Sequence, residues 1–268
     1  MPKSFPMGTL LEKVRSQTPL VHNITNYVVM NFTANALLAI GALPIMAHAQ
    51  EEIEEMVGIA QALVINIGTL SAPWVESMIK AIEAAKRRKI PVILDPVGAG
   101  ATNYRTQTCL RFLEELSPNI IRGNASEILA LAGAVSKGTK GVDSSDTPEV
   151  ALNMARNISG RYGATVCVSG AKDFIVQRSR TAKIINGHPW MSKVTGMGCA
   201  ATALIAAFSA ISQDPFDATV SAMSVMGVAG DIAARDASGP GSFQVGFLDA
   251  LSELRADQLE KLTRVEIL

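Results

Sequence analysis

An α/β fold with a central, mostly parallel sheet flanked by helices is what this 268-residue chain predicts, and three observations carry that prediction. Short apolar runs alternate with segments of helical spacing through the first two-thirds, which is the order that βα units need. Hydrophobic residues make up 48% and charged residues 18%, enough apolar material for a well-filled interior. No linker, internal repeat or low-complexity segment divides the chain, so one domain over residues 1–268 is expected.

The elements follow in order. "MPKSFPMGTLLEKVRS" at the N-terminus lacks the continuous apolar stretch of a secretory signal, so a cytoplasmic protein is expected. "ALVINIG" (Ala62–Gly68) reads as a strand ending in glycine. Ser71–Lys89 shows helical spacing at Trp74, Met78, Ile79 and Ile82, with Ser71 as a cap and Pro73 in the first turn. Its closing run Lys86, Arg87, Arg88, Lys89 complements the helix dipole, a better account than a phosphate patch. Ile90–Asp95 is a second buried strand running into "PVGAG", and a helix is expected over Arg105–Leu116. Asn119–Asn124 and Ala164–Gly170 read as strands, with "ASEILALAG" and "PEVALNMARNISGRYG" as helices between them. "DFIVQ" and "TAKIING" suit a short antiparallel addition. From Ala200 the pattern is mainly helical to the end, with loops at "SQDPFD" and "DASGPGSFQVG".

Charge and cysteine usage exclude several function classes. Lysine plus arginine equals aspartate plus glutamate at 24 each, so no electrostatic footprint points to nucleic acid or an anionic membrane. Cys109, Cys167 and Cys199 are far apart, odd in number and outside any C-x-x-C pair, so neither a disulfide framework nor a zinc site is implied. Val194–Gln213 carries no charge and approaches membrane-spanning length. It opens on a glycine turn and contains Thr202, Ser209, Ser212 and Gln213, which fits a buried helix instead.

In open α/β sheets, ligands gather beyond the carboxyl ends of the strands, which selects Asp95, Arg122, Asn124, Ser169 and Gly170. Asp95 follows Ile93 and Leu94, where a carboxylate needs a partner such as a metal ion, a hydrogen-bonding loop or a cation. Asn124 and Glu127 share a face at a helix start, and two readings stand: a Mg²⁺ carboxylate or a capping box. Arg122 can meet a phosphate or form a surface ion pair. "TGMGC" (Thr195–Cys199) leads into a helix, where unpaired N–H groups suit an anion and favour a thiolate. A lone cysteine there can equally be a small hydrophobe. "GAGAT" (Gly98–Thr102) is a second phosphate-loop candidate, but neither glycine run completes a dinucleotide or P-loop motif. His22, His48 and His188 form no pattern, and no serine elbow accompanies them.

Four stretches together resemble the hydroxyethylthiazole kinase family: Pro19–Ala49, Leu94–Thr102, Ile121–Ile128 and Asn186–Cys199. The resemblance spans nearly the whole chain and implies a ribokinase-like three-layer fold. It also implies transfer of the ATP γ-phosphoryl group, with Mg²⁺, to the primary alcohol of 4-methyl-5-(2-hydroxyethyl)thiazole in thiamine salvage. By the same resemblance, Cys199, Gly196 and Gly198 carry the chemistry, with cysteine where ribokinase-like relatives hold an aspartate base. Met46, Gly196, Asn26 and Val28 bind thiazole, Arg122, Ser169 and Asn124 bind the nucleotide, and Asp95 and Glu127 stand near Mg²⁺. Ser169 stands in for a threonine, and Met197 for a smaller residue. A homotrimer with active sites between subunits is a further implication. The alternatives are another ribokinase-like alcohol kinase, such as one for hydroxymethylpyrimidine, and a non-catalytic vitamin- or nucleotide-binding protein; a cysteine hydrolase lacks a histidine that can be paired with Cys199.

Overall fold

A computed structural model describes residues 5–135 and 148–268; the first four residues of the N-terminal stretch lie outside them. The first half of the chain runs α1 (Met7–Gln17), β1 (Leu20–Ile24), α2 (Met30–Ile40), β2 (Leu43–Ile45), α3 (Ile53–Ile59), β3 (Ala62–Asn66), α4 (Ala72–Arg88), β4 (Val92–Asp95), α5 (Asn103–Arg111), β5 (Ile120–Asn124) and α6 (Ala125–Val135). Then come α7 (Pro148–Tyr162), β6 (Thr165–Ser169), β7 (Asp173–Gln177), β8 (Arg180–Ile184), α8 (Met197–Ile211), α9 (Pro215–Ala233), α10 (Pro240–Glu253), α11 (Ala256–Leu262) and β9 (Val265–Ile267).

The strands form one sheet in the order β2-β1-β3-β4-β5-β6-β7-β8-β9. Pairing from β2 through β6 is parallel, and β7, β8 and β9 extend the sheet antiparallel. β1 pairs β2 on one side and β3 on the other, so the strand order changes direction there.

Strand alternation sorts the buried side chains into two layers. Val64, Ile93, Ile120 and Cys167 pack with α1, α2 and α8–α11, whereas Leu63, Ile65, Leu94, Ile121 and Val166 pack with α4–α7. The result is helix–sheet–helix in three layers. α8 lies across the centre of one face, against β1, β3 and β4, and its apolar surface is almost wholly buried. Among the described residues no helix is long and apolar enough to cross a membrane.

Several boundaries differ from the sequence expectations. α5 begins at Asn103, where the Thr102 hydroxyl accepts the Arg105 N–H, and gives way after Arg111 to a wide turn over Phe112–Leu116. α8 starts at Met197 rather than Ala200, and the "DASGPGSFQVG" loop ends at Gly239 because Pro240 opens α10. The C-terminus is not all helical: β9 adds an edge strand on β8, a pairing that three residues reveal only through their partner.

Candidate active site

Four polar residues stand at or near strand ends on the α8 face for one reason. Asn66, Asp95, Arg122 and Ser169 each come two positions after Val64, Ile93, Ile120 and Cys167, which point into the α8 layer. Parallel register sets Asn66 beside Asp95 and Asn124 beside Ser169. The Asn66 Nδ2 donates to Asp95 Oδ2 at 2.9 Å, and the Thr202 hydroxyl of α8 donates to the same oxygen at 2.8 Å. Asp95 Oδ1 has no hydrogen-bond donor and faces the Arg122 Nη1 at 3.9 Å. Arg122 Nη2 donates to the Ser169 hydroxyl at 2.6 Å, which donates onward to the Gly123 carbonyl at 3.3 Å.

α8 begins over this row. Gly196 takes φ +92°, the left-handed region open to glycine, and a Cβ there would meet Phe32 Cδ1 at 3.0 Å. The first intrahelical bond is Ala200 N–H to Gly196 O, at 2.8 Å, so the amides of Met197, Gly198 and Cys199 precede the helix's own pairing. Gly198 lies inside the helix, not in the turn. Its missing side chain makes room for Arg122, since a Cβ would stand 2.5 Å from Nη1. Met197 is buried in the core, so its bulk stays within the apolar layer. Cys199 Sγ receives the Asn66 Nδ2 at 3.1 Å and the Asn26 Nδ2 at 3.6 Å.

Burial governs the electrostatics. It pushes the Asp95 carboxyl up to about 6 against the pull of Arg122. Burial, with Asp95 adding to it, pushes the Cys199 thiol up to about 12. The sequence expectation of a helix-favoured thiolate is therefore reversed: leaving water outweighs the surrounding donors. Burial is the largest influence on Arg122 and works against its charge, but Asp95 together with Cys167, Cys199 and Glu127 outweighs it, and the guanidinium is held firmly protonated.

The other predicted residues distribute around this cluster. Asn26 sits just past β1, at the point where strand order reverses, and joins the cluster through Asn66 and Cys199. Met46 follows β2 at the same sheet edge and is half-buried, in a loop held by His22 Nε2 and the Ala47 carbonyl at 2.8 Å. Val28 is 68% exposed and lines an open cavity of about 410 Å³ with Phe32, Lys193 and Thr195. Asn124 and Glu127 form the capping box: Asn124 Oδ1 accepts the Glu127 N–H at 2.9 Å, and Glu127 Oε2 accepts the Asn124 N–H at 2.8 Å. Glu127 Oε1 accepts the Gly98 N–H at 2.8 Å, so both its oxygens are engaged and the "GAGAT" loop is tied to α6. His48 packs on Trp74, and His188 caps the short turn at Pro189–Lys193.

Asn66, Thr202 and Arg105 stand in or beside this cluster, and the sequence reading did not single them out. Arg105 donates to the carbonyls of Ile67, Val97 and Gly68, binding the loops after β3 and β4 together. Asn66 ends the run "ALVIN" as Asp95 ends "VILD", and that shared position was the available signal.

For a hard cation, the donor set is one oxygen without a hydrogen-bond donor, Asp95 Oδ1, in a buried setting. No group of three or more His, Cys, Asp or Glu able to hold a metal occurs among the described residues. Such a set fits Mg²⁺ that arrives on phosphates and keeps its waters, not an all-protein cage.

A family profile described as the hydroxyethylthiazole kinase family matches residues 11–257. A protein of Syntrophus aciditrophicus named hydroxyethylthiazole kinase is 55% identical over 255 residues, covering 95% of this chain and 94% of that protein. The solved structure of a hydroxyethylthiazole kinase from Pyrococcus horikoshii superposes with a TM-score of 0.91 at 43% identity, over 98% of both chains. A ribokinase-like superfamily protein from Enterococcus faecalis shares the fold, with a TM-score of 0.66 at 13% identity over 93% of this chain and 95% of that one.

Proposed function

The chain belongs to the hydroxyethylthiazole kinase family, and from that premise we propose that it phosphorylates the primary alcohol of 4-methyl-5-(2-hydroxyethyl)thiazole with ATP. The reaction gives the phosphorylated thiazole and ADP for thiamine salvage, in the cytoplasm, on a single kinase domain spanning residues 1–268. The convergence of Cys199, Asp95, Arg122 and Ser169 at the start of α8 carries this reading.

The alcohol oxygen bonds to the γ-phosphorus as the bond to the bridging β-oxygen breaks, and the hydroxyl proton passes to solvent water. Such transfers depend on positioning and charge stabilisation more than on covalent help. The amides of Gly198 and Cys199, with the positive end of α8, stabilise charge on the phosphoryl group. Arg122 and Ser169 bind the nucleotide phosphates, with Asn124 at the end of β5 opposite Ser169. Asn26, Val28, Met46 and Gly196 surround the thiazole. Asp95, through Oδ1, and Glu127 would hold Mg²⁺, which would supply positive charge against the phosphates. Cys199, protonated at neutral pH, orients the substrate hydroxyl by hydrogen bonding.

We further infer a homotrimer with sites between subunits. Val28 and Tyr27 are open to solvent beside buried Asn26, which supports a neighbouring copy covering that side.

ADP release with Mg²⁺-ATP and the thiazole alcohol, set beside hydroxymethylpyrimidine, tests the function. The parent turns over the thiazole alcohol preferentially, and Cys199→Ala retains residual activity with kcat lower by roughly 10²-fold, the size of a lost positioning contact. Equal rates for parent and variant would remove Cys199 from the chemistry.

A further inference from the structure

Asn66 is 1% exposed, and its side-chain amide is fully engaged. Nδ2 donates to Asp95 Oδ2 at 2.9 Å and to Cys199 Sγ at 3.1 Å. Oδ1 accepts from Asn26 Nδ2 at 2.9 Å and from the Gly68 amide at 3.0 Å. A primary amide offers two donors and two acceptor lone pairs, so nothing is left over. Its orientation is also determined. The flipped amide would set Oδ1 against the Asp95 carboxylate and Nδ2 against two N–H donors.

The surroundings are shaped to admit this arrangement. Register places Asn66 opposite Asp95. Gly68 leaves room for Asn26, because a Cβ there would come within 2.6 Å of Asn26 Nδ2. Two asparagine N–H groups thus converge on the sulfur, which leaves the thiol hydrogen as its own remaining donor.

We propose that Asn66 is a positioning residue for phosphoryl transfer, acting through Cys199: its amide fixes the sulfur so that the remaining hydrogen-bonding direction serves the substrate hydroxyl. The inference rests on the kinase reading above. Asn66 does not itself touch the reacting atoms. A purely structural clamp between β1, β3 and β4 would have the same hydrogen bonds, and kinetics separate the two roles.

The test is a double-mutant cycle of Asn66→Ala and Cys199→Ala, with kcat and both KM values measured for the thiazole alcohol and Mg²⁺-ATP. Asn66→Ala lowers kcat by about tenfold or more while each KM stays within about twofold, the pattern of an interaction needed in the transition state. In the Cys199→Ala background most of that loss disappears. An equal loss in both backgrounds, or no loss at all, overturns the inference while leaving the kinase reading intact. A folded parent that transfers no phosphoryl group overturns the kinase reading, and this inference with it. If circular dichroism shows Asn66→Ala unfolded, Asn66→Ser takes its place in the same cycle.

Discussion

Asp173, the first residue of β7, accepts the Gly170 N–H at 3.0 Å and so closes the turn that follows Ser169. Burial pushes its carboxyl up to about 6 from 3.8. Between those values the folded chain holds a proton that the unfolded chain has released, so stability falls as pH rises through the window and stays lower above it. The shift corresponds to roughly 3 kcal/mol. Urea midpoints at pH 4 and pH 7.5 should show Asp173→Asn losing less stability on raising the pH than the parent; parallel pH profiles would contradict the burial argument. Residues differ in how plainly the sequence displays them. Asp95 is conspicuous because a carboxylate after Ile93 and Leu94 demands a partner. Asn66 ends a similar run, but a neutral amide raises no such demand, and "ALVINIG" reads straight through it to Gly68. The state of Cys199 was not legible, because a helix N-terminus is a local feature and desolvation is a property of the packed site.

At the level of elements, the start of α8 brings the cluster together. Gly196 supplies the left-handed turn, and Gly198 supplies space for Arg122 beneath the first helical turn. Gly198→Ala should therefore displace Arg122, raise KM for ATP by about tenfold and lower kcat, while alanine's helix propensity limits the effect on unfolding. An unchanged KM for ATP would show that Arg122 does not depend on that space. The central strands and their helices were legible because parallel strands buried on both faces are continuous apolar runs. No comparable run marks the strands of the first 61 residues. β1, "LVHNI", interrupts its run with His22 and Asn23, and β2 has three residues whose strand character comes from pairing with β1.

Across the whole molecule, the sheet, α8 and the order reversal at β1 place Asn26, Asn66 and Asp95 at one carboxyl edge, where α/β folds bind ligands. The open side near Val28 and the proposed trimer make an assembly prediction: sedimentation equilibrium gives three times the 28.3 kDa chain mass, and a monomer at assay concentration would contradict it. Alternation alone indicated the α/β class; the ribokinase-like arrangement entered through motifs such as "LDPVGAGAT" and "KVTGMGC", because strand order and side-chain convergence are long-range facts. The central claim is phosphoryl transfer to the thiazole alcohol at the start of α8. Its most direct test is phosphorus NMR with product mass on the purified chain given Mg²⁺-ATP and the alcohol. One phosphorylated thiazole formed per ADP is the predicted result; folded protein that binds both ligands and forms no phosphorylated thiazole would contradict it.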